Sequence, residues 1–112
     1  MAATFLVIGL GRFGTSLALR LMDNGNEVMV LDSDEELVSR IAPQVTQAKV
    51  GDCMDEEVLR SLDPASFDFS FVCISHSFQA SMETTSLLKE LGAPMVVAKA
   101  DRDIHARLLL KI

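Results

Sequence analysis

Tryptophan and tyrosine are absent from this sequence, and six phenylalanines are its only aromatic residues. With 49% of its residues apolar, so ring-poor a chain is expected to bury an aliphatic core, which sets it apart from disordered and disulfide-stapled chains. Cysteine is scarce as well. Cys53 and Cys73 stand in different segments without C-x-x-C spacing, and Cys73 lies inside the apolar run "FDFSFVCI". Both read as reduced structural thiols, with the cytoplasm as the natural compartment. Cations are outnumbered, ten Lys and Arg against sixteen Asp and Glu, for a formal charge of −6. A general nucleic-acid surface needs clustered Lys and Arg, so no nucleic acid is expected as a partner. No apolar stretch approaches the ~20 residues of a membrane span, and the first residues lack the features of a signal peptide.

What is present fits one domain. At 112 residues the chain is long enough for a single core and too short for a separate catalytic domain beside it. Five short apolar runs, "TFLVIG", "EVMVLD", "QAKVG", "FDFSFVCIS" and "PMVVAKA", recur between polar, periodic segments and predict five buried strands. After the first, Phe13, Leu17, Ala18, Leu21 and Met22 recur at helical spacing and stop at Asn24-Gly25. In "SDEE", Ser33 can cap a second helix with Glu36 closing a capping box; Leu37, Val38 and Ile41 follow, and Pro43 ends it. A short third helix is expected to carry Val58, Leu59 and Leu62. A fourth runs from Phe78 to Leu91, and a fifth starts near Asp101 with Ile104, Leu108 and Ile112 on one face. Alternating strands and helices joined by short connections require parallel pairing and right-handed crossovers. The expected fold is therefore α/β, a Rossmann-type doubly wound parallel sheet with helices on both faces.

The first strand runs into "GLGRFG", a G-x-G-x-x-G pattern that is weak alone and gains force from its context. It ends an apolar strand, opens an amphipathic helix, and precedes a second strand ending in Asp32 about 20 residues on. Gly9 suits the tight turn, Gly11 lets backbone approach a pyrophosphate, and Gly14 allows close packing of helix on strand. The helix N-terminus adds unpaired N–H groups and a positive dipole end. Asp32 is placed to accept from both ribose hydroxyls while repelling a 2′-phosphate, which favours NAD or another adenine nucleotide over NADP. Asp52 can accept from an adenine amino group or cap the third helix, and the two roles are compatible. Arg12 either adds a charge-assisted contact to further phosphate oxygens or is a solvated side chain of the first turn.

Catalytic machinery is not evident. His76 follows the fourth strand, at the sheet edge where ligands sit in this fold, and His105 lies in the last segment; neither has a partner visible in sequence. Ser75 and Ser77 can donate to a phosphate or cap a helix, and no serine stands in a G-x-S-x-G elbow. Neither the histidines and cysteines nor the acidic "DSDEE" has metal-ligand spacing, so no metal site is expected.

The segments "FLVIGLGRFG", "VLDSDEE", "VGDCMDEEVLRSL" and "QASMETTSLLKELGAPMVVAKADRDIHARLLLKI" resemble the N-terminal domain of the RCK family, also called TrkA-N. The resemblance implies a cytoplasmic regulatory domain, held at the inner face of the membrane by a potassium transporter or channel subunit, that binds ATP/ADP or NAD/NADH. It implies a sensor and not an enzyme. It also implies a homodimer, within an octameric ring in many members, with Ile104, Leu108, Leu109 and Ile112 as one candidate contact. By the same similarity the glycines hold the phosphates, Asp32 the ribose and Asp52 the adenine, with Arg12 near a terminal phosphate and Lys99 in reach of the phosphates. Candidate cofactor contacts are thus Gly9, Gly11, Arg12, Phe13, Gly14, Asp32, Ser33, Asp52, Cys53, Ser75, His76 and Lys99. "SHS" at 75–77 departs from the glycine-containing turn common there, and family members continue beyond residue 112, so the sequence reads as a fragment. The competing readings are the cofactor domain of an NAD-dependent oxidoreductase, which shares fold and loop, and a structural interaction module that has kept the frame without using the ligand site.

Overall fold

The computed structural model describes residues 2–98. Five strands form one sheet: β1 (Thr4–Ile8), β2 (Glu27–Asp32), β3 (Gln47–Val50), β4 (Phe69–Val72) and β5 (Val96–Ala98). Every pairing is parallel and the order is β3-β2-β1-β4-β5. Four helices connect them: α1 (Arg12–Asp23), α2 (Glu35–Ile41), α3 (Glu56–Ser61) and α4 (Phe78–Glu90).

Strand alternation sorts the core into two layers. Val7, Val28 and Val30 face one side, where Leu17, Ala18 and Leu21 of α1 and Val38 and Ile41 of α2 cover them. Leu6, Ile8 and Leu31 face the other, against Leu59 of α3 and Leu88 of α4. The side chains of Leu6, Leu31, Leu59 and Leu88 are wholly buried, each stabilising the fold by about 1.5–3 kcal/mol. The sheet is therefore doubly wound, as its sequence pattern predicts.

Several local expectations need correction. The N-cap of α2 is Asp34, not Ser33: its Oδ1 accepts from Glu36 N (2.9 Å) and Leu37 N (3.3 Å). The N-cap of α3 is Asp55, not Asp52, with its Oδ1 accepting from Glu57 N at 2.9 Å. Phe13, placed by periodicity on the apolar face of α1, is 47% exposed. The buried residues of α1 are Gly14 and Ala18, whose small size lets the helix axis approach the sheet. Two 3₁₀ turns that the pattern does not announce, Ala42–Gln44 and Pro64–Ser66, each carry proline in their first turn. The predicted fifth helix, with Ile104, His105, Leu108, Leu109 and Ile112, lies outside the described residues, as does Lys99.

Candidate functional site

The chain winds one way from β1 through β2 to β3 and the other way from β4 to β5, so the connections that leave the carboxyl ends of the paired strands β1 and β4 run in opposite directions and leave a crevice above them. A cavity of about 390 Å³ occupies it, walled by the glycine loop, the β2–α2 turn, the β3–α3 turn and the β4–α4 turn.

The three loop glycines have different reasons to be glycine. Gly9 sits at φ +101°, and a Cβ on it would lie 2.6 Å from the Cys73 carbonyl oxygen. A Cβ on Gly14 would lie 1.8 Å from the Gly9 oxygen. Both are demanded by the fold, whatever binds. Gly11 has the ordinary φ of −69° with ψ of −167°, and a Cβ there would meet nothing within 4 Å. It lines the cavity just ahead of α1, as the N-cap, with no side-chain cap bond over the helix N-terminus. Among the described residues no atom requires this residue to be small; a ligand pressed against the backbone would, so the loop fits a bound phosphate group.

Asp32 ties the walls together. Its Oδ2 accepts from Leu10 N at 2.7 Å, joining β2 to the glycine loop, and its Oδ1 accepts from Asp34 N at 2.8 Å. Its main-chain oxygen accepts from Gly51 N at 3.0 Å, which brings in the end of β3. Each carboxylate oxygen has a second acceptor direction, so a ribose hydroxyl can be received without breaking these bonds.

Asp52, next to the Gly51 bonded to Asp32, also lines the cavity and is exposed, with Oδ1 accepting from Met54 N at 2.9 Å in a local turn. Beside it, the Cys53 carbonyl accepts from Thr84 Oγ1 at 3.3 Å. Burial pushes the Cys53 thiol above its ordinary range; a hydrogen bond with Thr84 opposes this in part, and the Asp52 carboxylate adds to it. The shift disfavours the thiolate, the nucleophilic form.

Of the residues expected at the site, Gly9, Gly11, Asp32, Ser33, Asp52, Cys53, Ser75 and His76 line the cavity. Arg12, Phe13 and Gly14 do not: Arg12 and Phe13 are exposed on the first turn of α1, and Gly14 is packed under it. Arg12 forms no ion pair among the described residues. Lys99 lies outside those residues. The cavity also takes in Leu10, Asp34, Leu37, Met54 and Ala80, which sequence reasoning missed. Asp34 had a signal, since Asp caps helices as readily as Ser; the Leu10 N–H is a backbone group with none. Among the described residues, no group of three or more His, Cys, Asp or Glu side chains is placed to hold a metal ion.

Residues 5–112 match the model of the TrkA-N domain. The chain belongs to the TrkA-N domain family. It is 45% identical over 112 residues to the Ktr system potassium uptake protein C of Bacillus subtilis (strain 168), covering 100% of this chain and 51% of that protein. The chain thus spans about half the length of the curated relatives it matches. The TrkA-N domain of the inner membrane protein YbaL from Escherichia coli superposes with a TM-score of 0.84 at 17% identity, over 99% of this chain and 82% of that one. GsuK bound to ADP superposes with a TM-score of 0.81 at 16% identity, over 99% of this chain and 29% of that one. At such identities the likeness is one of fold. No described helix of this TrkA-N domain is long and apolar enough to cross a membrane.

Proposed function

We propose that this TrkA-N domain binds an adenine nucleotide, ATP/ADP or NAD/NADH, in the cavity and regulates a membrane-embedded potassium transporter or channel at the inner face of the membrane. The observation that carries the reading is Gly11, a glycine that lines the cavity, has no steric need among the described residues, and stands as the N-cap of α1 without a side-chain cap bond. The ADP held by a fold neighbour and the potassium uptake role of a 45% identical relative support it.

The domain acts as a sensor in this reading. His76 is exposed and without a hydrogen-bonded partner among the described residues, and burial disfavours the Cys53 thiolate, which supports a sensing role over acid–base or nucleophilic chemistry. Arg12, on the turn next to the phosphate cradle, distinguishes a third phosphate from two. Assembly as a homodimer within an octameric ring belongs to the same proposal.

Calorimetric titration with ATP, ADP, AMP, NAD and NADH tests the reading, with dissociation constants of roughly micromolar order, about −8 kcal/mol, expected for at least one. Arg12→Ala narrows any difference between ATP and ADP. A folded chain that binds none of the five contradicts the proposal.

A further inference from the structure

Asp34 acts at both of its ends. Its main-chain N–H donates to Asp32 Oδ1 at 2.8 Å, while its own Oδ1 accepts from Glu36 N and Leu37 N at 2.9 and 3.3 Å. Asp32 Oδ2 in turn accepts from Leu10 N at 2.7 Å. A continuous run of hydrogen bonds thus leads from the glycine loop through the Asp32 carboxylate to the first turn of α2. Leu10, Asp32, Asp34 and Leu37 all line the cavity, so the run follows its wall.

The geometry points to Asp34 as a positioning residue: by capping α2 it fixes the turn whose N–H orients the Asp32 carboxylate toward a nucleotide's ribose. This rests on the nucleotide reading above. A carboxylate on a single bond rotates unless both oxygens are held, and here one is held by the glycine loop and the other by the capped turn. Release of the cap frees residues 33 and 34, and with them the only donor shown on Oδ1 among the described residues. Asp32 would keep its place through Leu10 N while losing the fixed plane that lets it meet two neighbouring hydroxyls at once. The consequence is specific to the ribose: contacts made by phosphates at Gly11 and by a base near Asp52 do not pass through Asp34. The role needs a capping side chain and not its charge, so Asn and Ser serve while Ala does not.

The test compares ADP with 2′-deoxy-ADP by calorimetry. A ribose hydroxyl donating to a fixed carboxylate gives the natural chain about a tenfold preference for ADP. Asp34→Ala is expected to bring that ratio close to one while 2′-deoxy-ADP binding changes little, and Asp34→Asn and Asp34→Ser are expected to retain it. Should Asp34→Ala not fold, Asp34→Gly, which removes the carboxylate at smaller cost to the helix start, carries the same expectation. An unchanged ratio in the Ala or Gly variant overturns the inference, as does loss of the ratio in Asp34→Asn. Equal binding of the two nucleotides by the natural chain overturns it alone; binding of neither removes the nucleotide reading as well.

Discussion

The turns after β2 and β3 begin alike and are wired differently. In each, an Asp at the strand's end, Asp32 or Asp52, precedes an Asp cap followed by two Glu: Asp34-Glu35-Glu36 before α2 and Asp55-Glu56-Glu57 before α3. Asp32 reaches across the sheet to the Leu10 N–H and is half-buried. Asp52 is exposed, and among the described residues its carboxylate serves the turn it starts, at Met54 N. The difference comes from place in the sheet: β2 lies beside β1 and so beside the glycine loop, whereas β3 is an edge strand. The same residue type after a strand is therefore a tertiary tie in one case and a local one in the other.

The widest gap is expected on removing the two carboxylates. Asp32→Ala leaves the partly buried Leu10 N–H and the Asp34 N–H without acceptors and should lower stability by about 2–4 kcal/mol. Asp52→Ala, at an exposed turn, should fall within about 1 kcal/mol. Urea unfolding of both variants measures this, and equal losses would erase the distinction. The caps come next. Asp34→Ala and Asp55→Ala should each cost about 1 kcal/mol, since both remove a helix N-cap. Their parity in urea, set against unequal effects on nucleotide binding, would show that the two turns differ in wiring and not in local strength.

The smallest effect concerns the thiol between the acids. Because the folded Cys53 pKa is raised above that of the unfolded chain, its contribution is fully present below the usual thiol range and is lost as pH climbs through it toward the folded value. Thermal unfolding followed from neutral to alkaline pH should decline more steeply for the natural chain than for Cys53→Ala. Parallel declines would place the thiol in an unperturbed setting.

The doubly wound sheet was legible because parallel strands buried on both faces read as unbroken apolar runs, and five such runs separated by helical periodicity admit few arrangements. Gly9, Gly14 and Asp32 were legible through a spacing that sterics and hydrogen bonding enforce. The caps were misassigned by one residue at α2 and by three at α3. Ser33 with Glu36 offers a capping box and Asp34 with Leu37 does not, yet Asp34 is the cap, in a turn held by the bond from Asp34 N to Asp32, which sequence spacing does not display. At α3 the turn from Asp52 to Asp55, closed by the bond from Asp55 N to Asp52 O at 3.1 Å, delays the helix. Phe13 misled for a related reason: apolar periodicity gives the phase of a helix only to within a residue, and here Gly14 and Ala18 set it by permitting close approach. Backbone donors such as Leu10 N–H carry no side-chain signature at all.

Gly11→Ala separates ligand from fold more cleanly than any other change, because Gly11 already has a backbone conformation open to alanine and its added methyl meets no atom of the described residues within 4 Å. Calorimetric titration of this variant and the natural chain with ADP, beside their ligand-free unfolding temperatures, is the most direct test. The expected result is unfolding temperatures within about 5 °C of each other, the margin an N-cap change from Gly to Ala allows, with ADP affinity reduced by at least about tenfold, the effect of some 1.4 kcal/mol of lost phosphate contact. Undiminished ADP binding by Gly11→Ala would contradict the account.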